Sequence, residues 1–432
     1  WGISWTSPME IALRSMSWMS AAKILAAGYT PGDTLTLMTI RRLLTGAANM
    51  TQYLVRHESG FSSANNHLIV EVAAVAIAGL LFGREDYVAD SLRVLDRELH
   101  RQVSADGVDL ESSLHYHGFV MEAYLLVWQA LVETDRDVPR LWRERLAGMA
   151  RFVAASRAAD GVWCVFGDDD EARISDLGYG DSDYFDSLLR LYTEVSGERL
   201  ETPASGRLTF AEGGYSFLRT PRMMVGVDHA PLGFGAIAAH AHNDILSFQL
   251  FIDGRPVLVD SGTYLYHIDR ARRDQLRSTA MHNTVTVNGK EQAQILGPFL
   301  WGRKATGRLA ATADNGLTAT VTGLSGIGHT RRWELSEGER ETRESCPTLK
   351  ITDSFSSECD WVATFIAAPG LSVNVIGDRE VMVGDILLIV TAEGCISVDP
   401  VEIAPAYGIL ADTFAVRIVG KSRQNSVTLQ SL

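Results

Sequence analysis

The hydrophobic period of this chain changes near residue 200. Before it, apolar residues recur at helical spacing; after it, short β-branched and aromatic stretches alternate with turn residues. Ser7-Pro8-Met9-Glu10 reads as a capping box with proline at the first helical position. The helix it opens places Arg14 and Trp18 four apart on one face. Further helices are expected over about 34–56, 67–82, 86–104, 112–133, 138–157 and 182–196, the third ending at Gly83 as a C′ glycine. Short connections make neighbours antiparallel, which suggests a bundle or an incomplete α/α toroid. From Arg207 onward, strand-like stretches recur with no helical pattern between them, and Asp253-Gly254 and Asn288-Gly289 are hairpin signals. That half reads as an antiparallel β-sandwich. The expected organisation is therefore α+β multidomain, with a helical domain over 1–200 and a sandwich over 207–432.

Composition narrows the function classes. The chain has 432 residues, 46% hydrophobic and 21% charged, which suits an ordinary globular protein with more than one core. Its net charge of −14 argues against a general nucleic-acid binder but leaves room for a local basic patch. The most apolar run, Val72 to Phe82, is too short for a membrane span. Cys164, Cys346, Cys359 and Cys395 are scattered, forming neither a disulfide framework nor a thiolate zinc site. The chain opens at Trp1 without Met or a signal-like apolar region, so it is expected to be processed or a fragment.

The histidines are unevenly placed. His240 and His242 would share a face if they lay in a strand. His242, Asp260 and His282 could supply two nitrogens and an oxygen to zinc or another divalent ion, or be hydrogen-bonded polar residues at strand ends. Asn65-Asn66-His67 precedes an apolar helix, the usual place of an N-cap, and His115-Tyr116-His117 sits at a helix start. Arg270, Arg272, Arg273 and Arg277 form a basic cluster able to hold carboxylates or sulfates, or a solvated loop. The acidic run Asp168-Asp169-Asp170-Glu171 lacks EF-hand spacing and reads as an ordered turn.

Taken in order, Asn65-Asn66-His67-Leu68, the stretch Glu111 to Phe119, and the blocks 240–248, 260–264 and 277–284 resemble the heparinase II/III family of polysaccharide lyases, relatives of the alginate and oligoalginate lyases. The resemblance runs from the first helix to about Trp333. It implies an α/α toroid followed by an antiparallel sandwich, with additional helices in other members before the position of Trp1. It implies that Asn66 and His67 occupy carboxylate-neutralising and base-side positions, that Tyr116 is the catalytic tyrosine, and that His240 is the catalytic histidine of the sandwich. It further implies that His242, Asp260 and His282 hold a structural zinc, and that the protein is periplasmic or secreted. Arg14, Trp18, His117 and Arg277 are the candidate substrate-binding residues.

The implied chemistry suits these residue types. β-Elimination from a 4-linked uronate removes the weakly acidic C5 proton, so the carboxylate must be neutralised, one group must take the proton, and another must protonate the departing O4. An amide can hydrogen-bond the carboxylate; a tyrosine of lowered pKa and a histidine can carry protons. An anionic polysaccharide is the expected partner, and a cleft between the two domains its expected place. The alternatives are a metal-assisted glycan hydrolase on the same scaffold and a non-catalytic exopolysaccharide-binding protein.

Overall fold

The computed structural model describes residues 5–60, 64–159, 161–175, 183–337, 346–391 and 394–431. The chain forms two compact units. The first takes in 1–109, 116–150 and 172–200, and the second takes in 110–115, 151–171 and 201–432. Two segments from the stretch read as helical thus cluster with the second unit.

Among the described residues the helices are α1 (Pro8–Ala27), α2 (Thr34–Leu54), α3 (Asn66–Phe82), α4 (Glu85–Gln102), α5 (Leu114–Glu133), α6 (Arg140–Ser156), α7 (Tyr184–Ser196) and a short α8 (Arg270–Leu276). The first seven fall where the period placed them. Ser7 accepts a hydrogen bond from the Glu10 amide at 3.4 Å, with Pro8 opening α1. Gly83 closes α3 in the left-handed region. α3 is the central helix: α1, α2 and α4 all pack on it, and its apolar sequence is buried nearly all round.

Among the described residues, the two largest sheets of the second unit are antiparallel. Strands Gly206–Phe210, Tyr215–Arg219, Met223–Asp228, Phe248–Ile252 and Arg255–Leu258 form a five-stranded meander. The larger sheet is built on two long strands, Thr348–Ile366 and Ile409–Ser431, paired to each other. Leu218, Val225 and Phe248 of the first sheet share one hydrophobic core with Trp333, Leu349 and Trp361 of the second, which makes the pair a sandwich. Asp253-Gly254 joins strands Phe248–Ile252 and Arg255–Leu258 as a hairpin, whereas Asn288-Gly289 makes a tight turn closed by an isolated bridge between Val287 and Lys290; all four residues have positive φ, as a type I′ turn requires.

Candidate active site and metal centre

In the helical unit the Asn-Asn pair divides its work. Asn65 is the N-cap, its Oδ1 accepting from the His67 amide at 3.3 Å, so Asn66 is a first-turn residue and is fully buried. The approach to this helix start is held from two sides. Arg101 and Gln102, at the end of α4, donate to the carbonyls of Ala64 and Asn65 at 3.4 and 3.5 Å. Glu71, one turn after His67, accepts from the Ser59 amide at 2.7 Å and from its hydroxyl at 2.6 Å. Tyr116 is buried in the first turn of α5, its ring edge-on to Phe119.

Arg14 and Trp18 do share a site. With Trp5, Asn49, Tyr53 and Arg56 they line a cavity of about 970 Å³ within the helical unit. Trp18 can lie there because residue 46 is glycine: a Cβ on Gly46 would stand 2.1 Å from the indole ring. Trp5 and Tyr53 meet edge-on at 5.4 Å, and His57 lies against Tyr53 at 4.2 Å. Aromatic faces beside two guanidinium groups suit a sugar bearing negative charge.

His117 is not a substrate contact, which corrects the sequence expectation. It is fully buried, its Nδ1 accepting from the Asp109 amide at 3.2 Å and its Nε2 donating to the Met149 carbonyl at 3.1 Å. Burial pushes its pKa down to about 4, opposed in part by the Met149 carbonyl. An unfolded histidine titrates near ~6.5, so between these values the unfolded chain takes up a proton that the folded chain refuses. The contribution to stability is therefore whole above the unfolded pKa and is lost as pH falls toward the folded one. From pH 7 to 5 the loss should be about 2 kcal/mol. Denaturant titrations of the wild type and His117→Asn at both pH values should show that extra loss only in the wild type; parallel losses would contradict it.

Arg277 is corrected in the same way. It is fully buried, donates to the carbonyls of Pro298 at 3.0 Å and Gly297 at 2.5 Å, pairs with Asp274 at 2.7 Å, and lies over the Trp301 ring. Its neighbours are also engaged internally, because the segment is the helix α8 rather than a loop. Arg270 pairs with Asp274, Arg272 with Glu402, and Arg273 with Asp168. Arg273 and Arg277 are thus buried internal partners, while Arg270 and Arg272 stay partly exposed in surface pairs.

In the sandwich unit, His240-Ala241-His242 lies in an irregular segment before strand Phe248–Ile252, not in a strand. Both imidazoles nonetheless meet one carboxylate. Asp168 Oδ2 lies 3.2 Å from His240 Nδ1, and its Oδ1 lies 2.9 Å from His242 Nε2. Arg273 completes a bidentate pair with the same carboxylate. Burial alone would push the Asp168 carboxyl up, but Arg273 and the two histidines hold it well below the usual range. On the other side of the His240 ring, Nε2 stands 3.6 Å from the buried carboxylate of Glu111. His240 is thus an imidazole between two carboxylates, oriented by one of them, as a proton carrier needs.

His242, Asp260 and His282 come together, with one ligand atom from each lying within 4.8 Å of the others. His282 Nδ1 contacts Asp260 Oδ2 at 2.8 Å, which leaves its Nε2 buried with no hydrogen-bond partner. With His242 Nε2 on Asp168, His242 Nδ1 is orphaned in the same way. Two unpartnered imidazole nitrogens beside a carboxylate are costly in a dry interior, and a divalent cation would satisfy both. Asp244 and Asp228 lie close by, both buried, and burial together with neighbouring carboxylates pushes their carboxyls up. The residues present therefore fit a metal.

Sequence reasoning missed Asp168 and Arg273 as parts of this centre and took Glu111 only as a motif residue. One signal was available in the glycine before the acidic run. Gly167 has φ +60°, and a Cβ there would stand 2.1 Å from the Ser112 carbonyl oxygen and 2.6 Å from that of His240. That packing brings Asp168 against the His240 segment.

A helical region followed by an antiparallel sandwich with a buried histidine–carboxylate centre defines a class of two-part proteins. The sequence models for the heparinase II/III N-terminus and for the heparinase II/III-like C-terminal region match residues 8–183 and 202–385. The chain belongs to the heparinase II/III family. It is 23% identical over 301 residues to the heparin-sulfate lyase of Pedobacter heparinus, covering 66% of this chain and 44% of that one. To the heparin-sulfate lyase of Bacteroides thetaiotaomicron it is 24% identical over 302 residues, covering 62% and 43%. The aligned region thus spans less than half the length of these relatives. Among solved structures, heparinase III matches with a TM-score of 0.73 at 17% identity, over 98% of this chain and 69% of that one. The chondroitin AC lyase of Streptomyces coelicolor matches at 0.58 and 12%, over 98% and 75%. At such identities these likenesses speak for the fold alone, an α/α toroid with an antiparallel sandwich, as the sequence indicated.

Proposed function

We propose that this protein is a polysaccharide lyase that cleaves a 4-linked uronate-containing glycan by β-elimination, leaving an unsaturated uronate at the new non-reducing end. The observation that carries the reading is His240, buried and held between Asp168 and Glu111. Membership of a family whose matched relatives are named heparin-sulfate lyases supports it. In this reading Asn66 hydrogen-bonds the uronate carboxylate as charge develops, with His67 beside it. Tyr116 and His240 carry protons to and from C5 and O4. Arg14 and Trp18 bind a sugar away from the reacting bond.

His242, Asp260 and His282 would hold zinc, which would supply a structural cross-link rather than reaction chemistry. His242 and His282 are only 1% and 0% exposed, which disfavours the open coordination position that a metal-activated water needs. Elemental analysis of protein purified without chelator should find about one zinc per chain, and His282→Ala should carry almost none. A metal-free wild type would overturn the zinc assignment.

Glycosaminoglycans are the first substrates to test, since the relatives' names point there. Alginate and bacterial exopolysaccharides complete the panel. No helix among the described residues is long and apolar enough to cross a membrane. Action on such glycans suits a periplasmic or secreted protein. Ultraviolet-absorbing ends should accumulate on at least one uronic polysaccharide. Binding with no new ends on any of them would favour the non-catalytic alternative.

A further inference from the structure

Asp168 touches both centres of the sandwich unit, and nothing in the proposed chemistry assigns it a role. Its side chain is fully buried and receives five donors: His242, Thr263 and Arg273 on Oδ1, and His240 and Arg273 on Oδ2. Its backbone is fixed as well. The Asp168 amide donates to the His240 carbonyl at 3.0 Å, and the Ser113 hydroxyl donates to the Asp168 carbonyl at 2.5 Å.

An ionised carboxylate can only accept. Each imidazole nitrogen that meets Asp168 must therefore carry the proton, and the lone pair of a neutral ring is forced to the opposite nitrogen. For His242, which groups with His282 and Asp260, that nitrogen is Nδ1, the buried atom with no hydrogen-bond partner. For His240 it is Nε2: the Glu111 carboxylate stands 3.6 Å from it, beyond hydrogen-bond distance, whereas Asp168 holds Nδ1 at 3.2 Å. One carboxylate thus selects opposite tautomers in two histidines two residues apart.

We propose that Asp168 is a positioning residue that couples the two centres, fixing His242 with Nδ1 ready to ligate a metal and His240 with Nε2 ready to receive a proton. This rests on the reading of His240 as a proton carrier and of the triad as a metal site. Groups that orient a metal-bound histidine through its second nitrogen commonly contribute 10–100-fold to affinity. Here the same group also orients the proton carrier, so loss of one function entails loss of the other.

The direct test is the ¹⁵N spectrum of the histidine rings in the full, chelator-treated chain, with signals assigned by loss in His240→Ala and His242→Ala. Where each ring is neutral, His240 should show the Nδ1–H form and His242 the Nε2–H form. The reverse tautomer at either ring overturns the proposal. In parallel, Asp168→Asn offers one donor and one acceptor where two acceptors are needed. It should lower kcat at least ~30-fold with KM within about threefold, and weaken Zn²⁺ binding by calorimetry about 10–100-fold. Loss of thermal stability alone, with kcat and zinc affinity kept, would mean a merely structural ion pair and overturn it.

If Asp168→Asn does not fold, Thr263→Val removes one hydrogen bond to the same carboxylate. It should lower kcat and zinc affinity together by several-fold, and a change in neither would contradict the coupling. If the wild type makes no unsaturated product from any uronic glycan, or binds no zinc, the functional reading fails. The ring tautomers still decide the role of Asp168.

Discussion

Replacing Tyr116 by phenylalanine should lower turnover at least ~100-fold while leaving the fold intact, the usual worth of a positioned proton-transfer group. The ring is buried in the first turn of α5 and packs edge-on against Phe119, a contact that phenylalanine retains. Only the hydroxyl is lost, so stability should move by no more than about 1 kcal/mol, the worth of an ordinary hydrogen bond. A proton-transfer role further requires that kcat fall with little change in KM, because the hydroxyl acts on the reacting atoms rather than on ground-state binding. Near-normal turnover on a confirmed substrate would remove Tyr116 from the chemistry. A rise in KM alone would make it a binding residue. Trp18→Ala supplies the contrast: the cavity it lines should affect KM more than kcat.

The second large effect concerns stability. Asp353 and Arg331 face each other across strands Gly328–Ser336 and Thr348–Ile366, and both are buried. Asp353 accepts from Arg331 Nε at 2.7 Å and contacts His329 Nε2 at 2.7 Å. Burial would raise its carboxyl, yet Arg331 and His329 hold it well below the usual range. Arg331 also donates to the carbonyls of Leu246 and Asn283 at 3.0 and 2.8 Å, reaching the backbone next to His282. Asp353→Ala would leave a guanidinium buried without its counter-charge, which typically costs about 3–5 kcal/mol. Replacing both partners by apolar residues of similar volume should recover most of that loss, because the desolvation of both charges disappears with them. Denaturant unfolding of the three proteins checks this; a single-variant cost below about 1 kcal/mol would contradict it.

The parts of this molecule that sequence exposes are those fixed by local chemistry. Ser7-Pro8 and Gly83 mark helix ends because capping involves atoms only a few residues apart. Asp253-Gly254 and Asn288-Gly289 mark turns because few residue types tolerate positive φ. The triad of His242, Asp260 and His282 was legible from ligand types and from the family resemblance. Burial and long-range pairing are not local. His117 and Arg277 carry polar groups that suit a substrate, and nothing nearby in the chain reveals that Met149 or Gly297 claims them. Asp168 looked like one of several acids in a turn because its partners lie 72 to 105 positions away. His240 and His242 were expected to share a face through a strand; they meet through a shared carboxylate instead.

In the proposed reaction the glycosidic bond breaks by elimination. Digesting a responsive uronic polysaccharide in water enriched in ¹⁸O and weighing the fragments tests it directly. Elimination adds no water, so each new non-reducing end should be a dehydrated uronate, and the cleavage should introduce no ¹⁸O. Fragments that each gain one water across the broken bond, with ¹⁸O fixed at the cleavage point, would show hydrolysis and contradict the account.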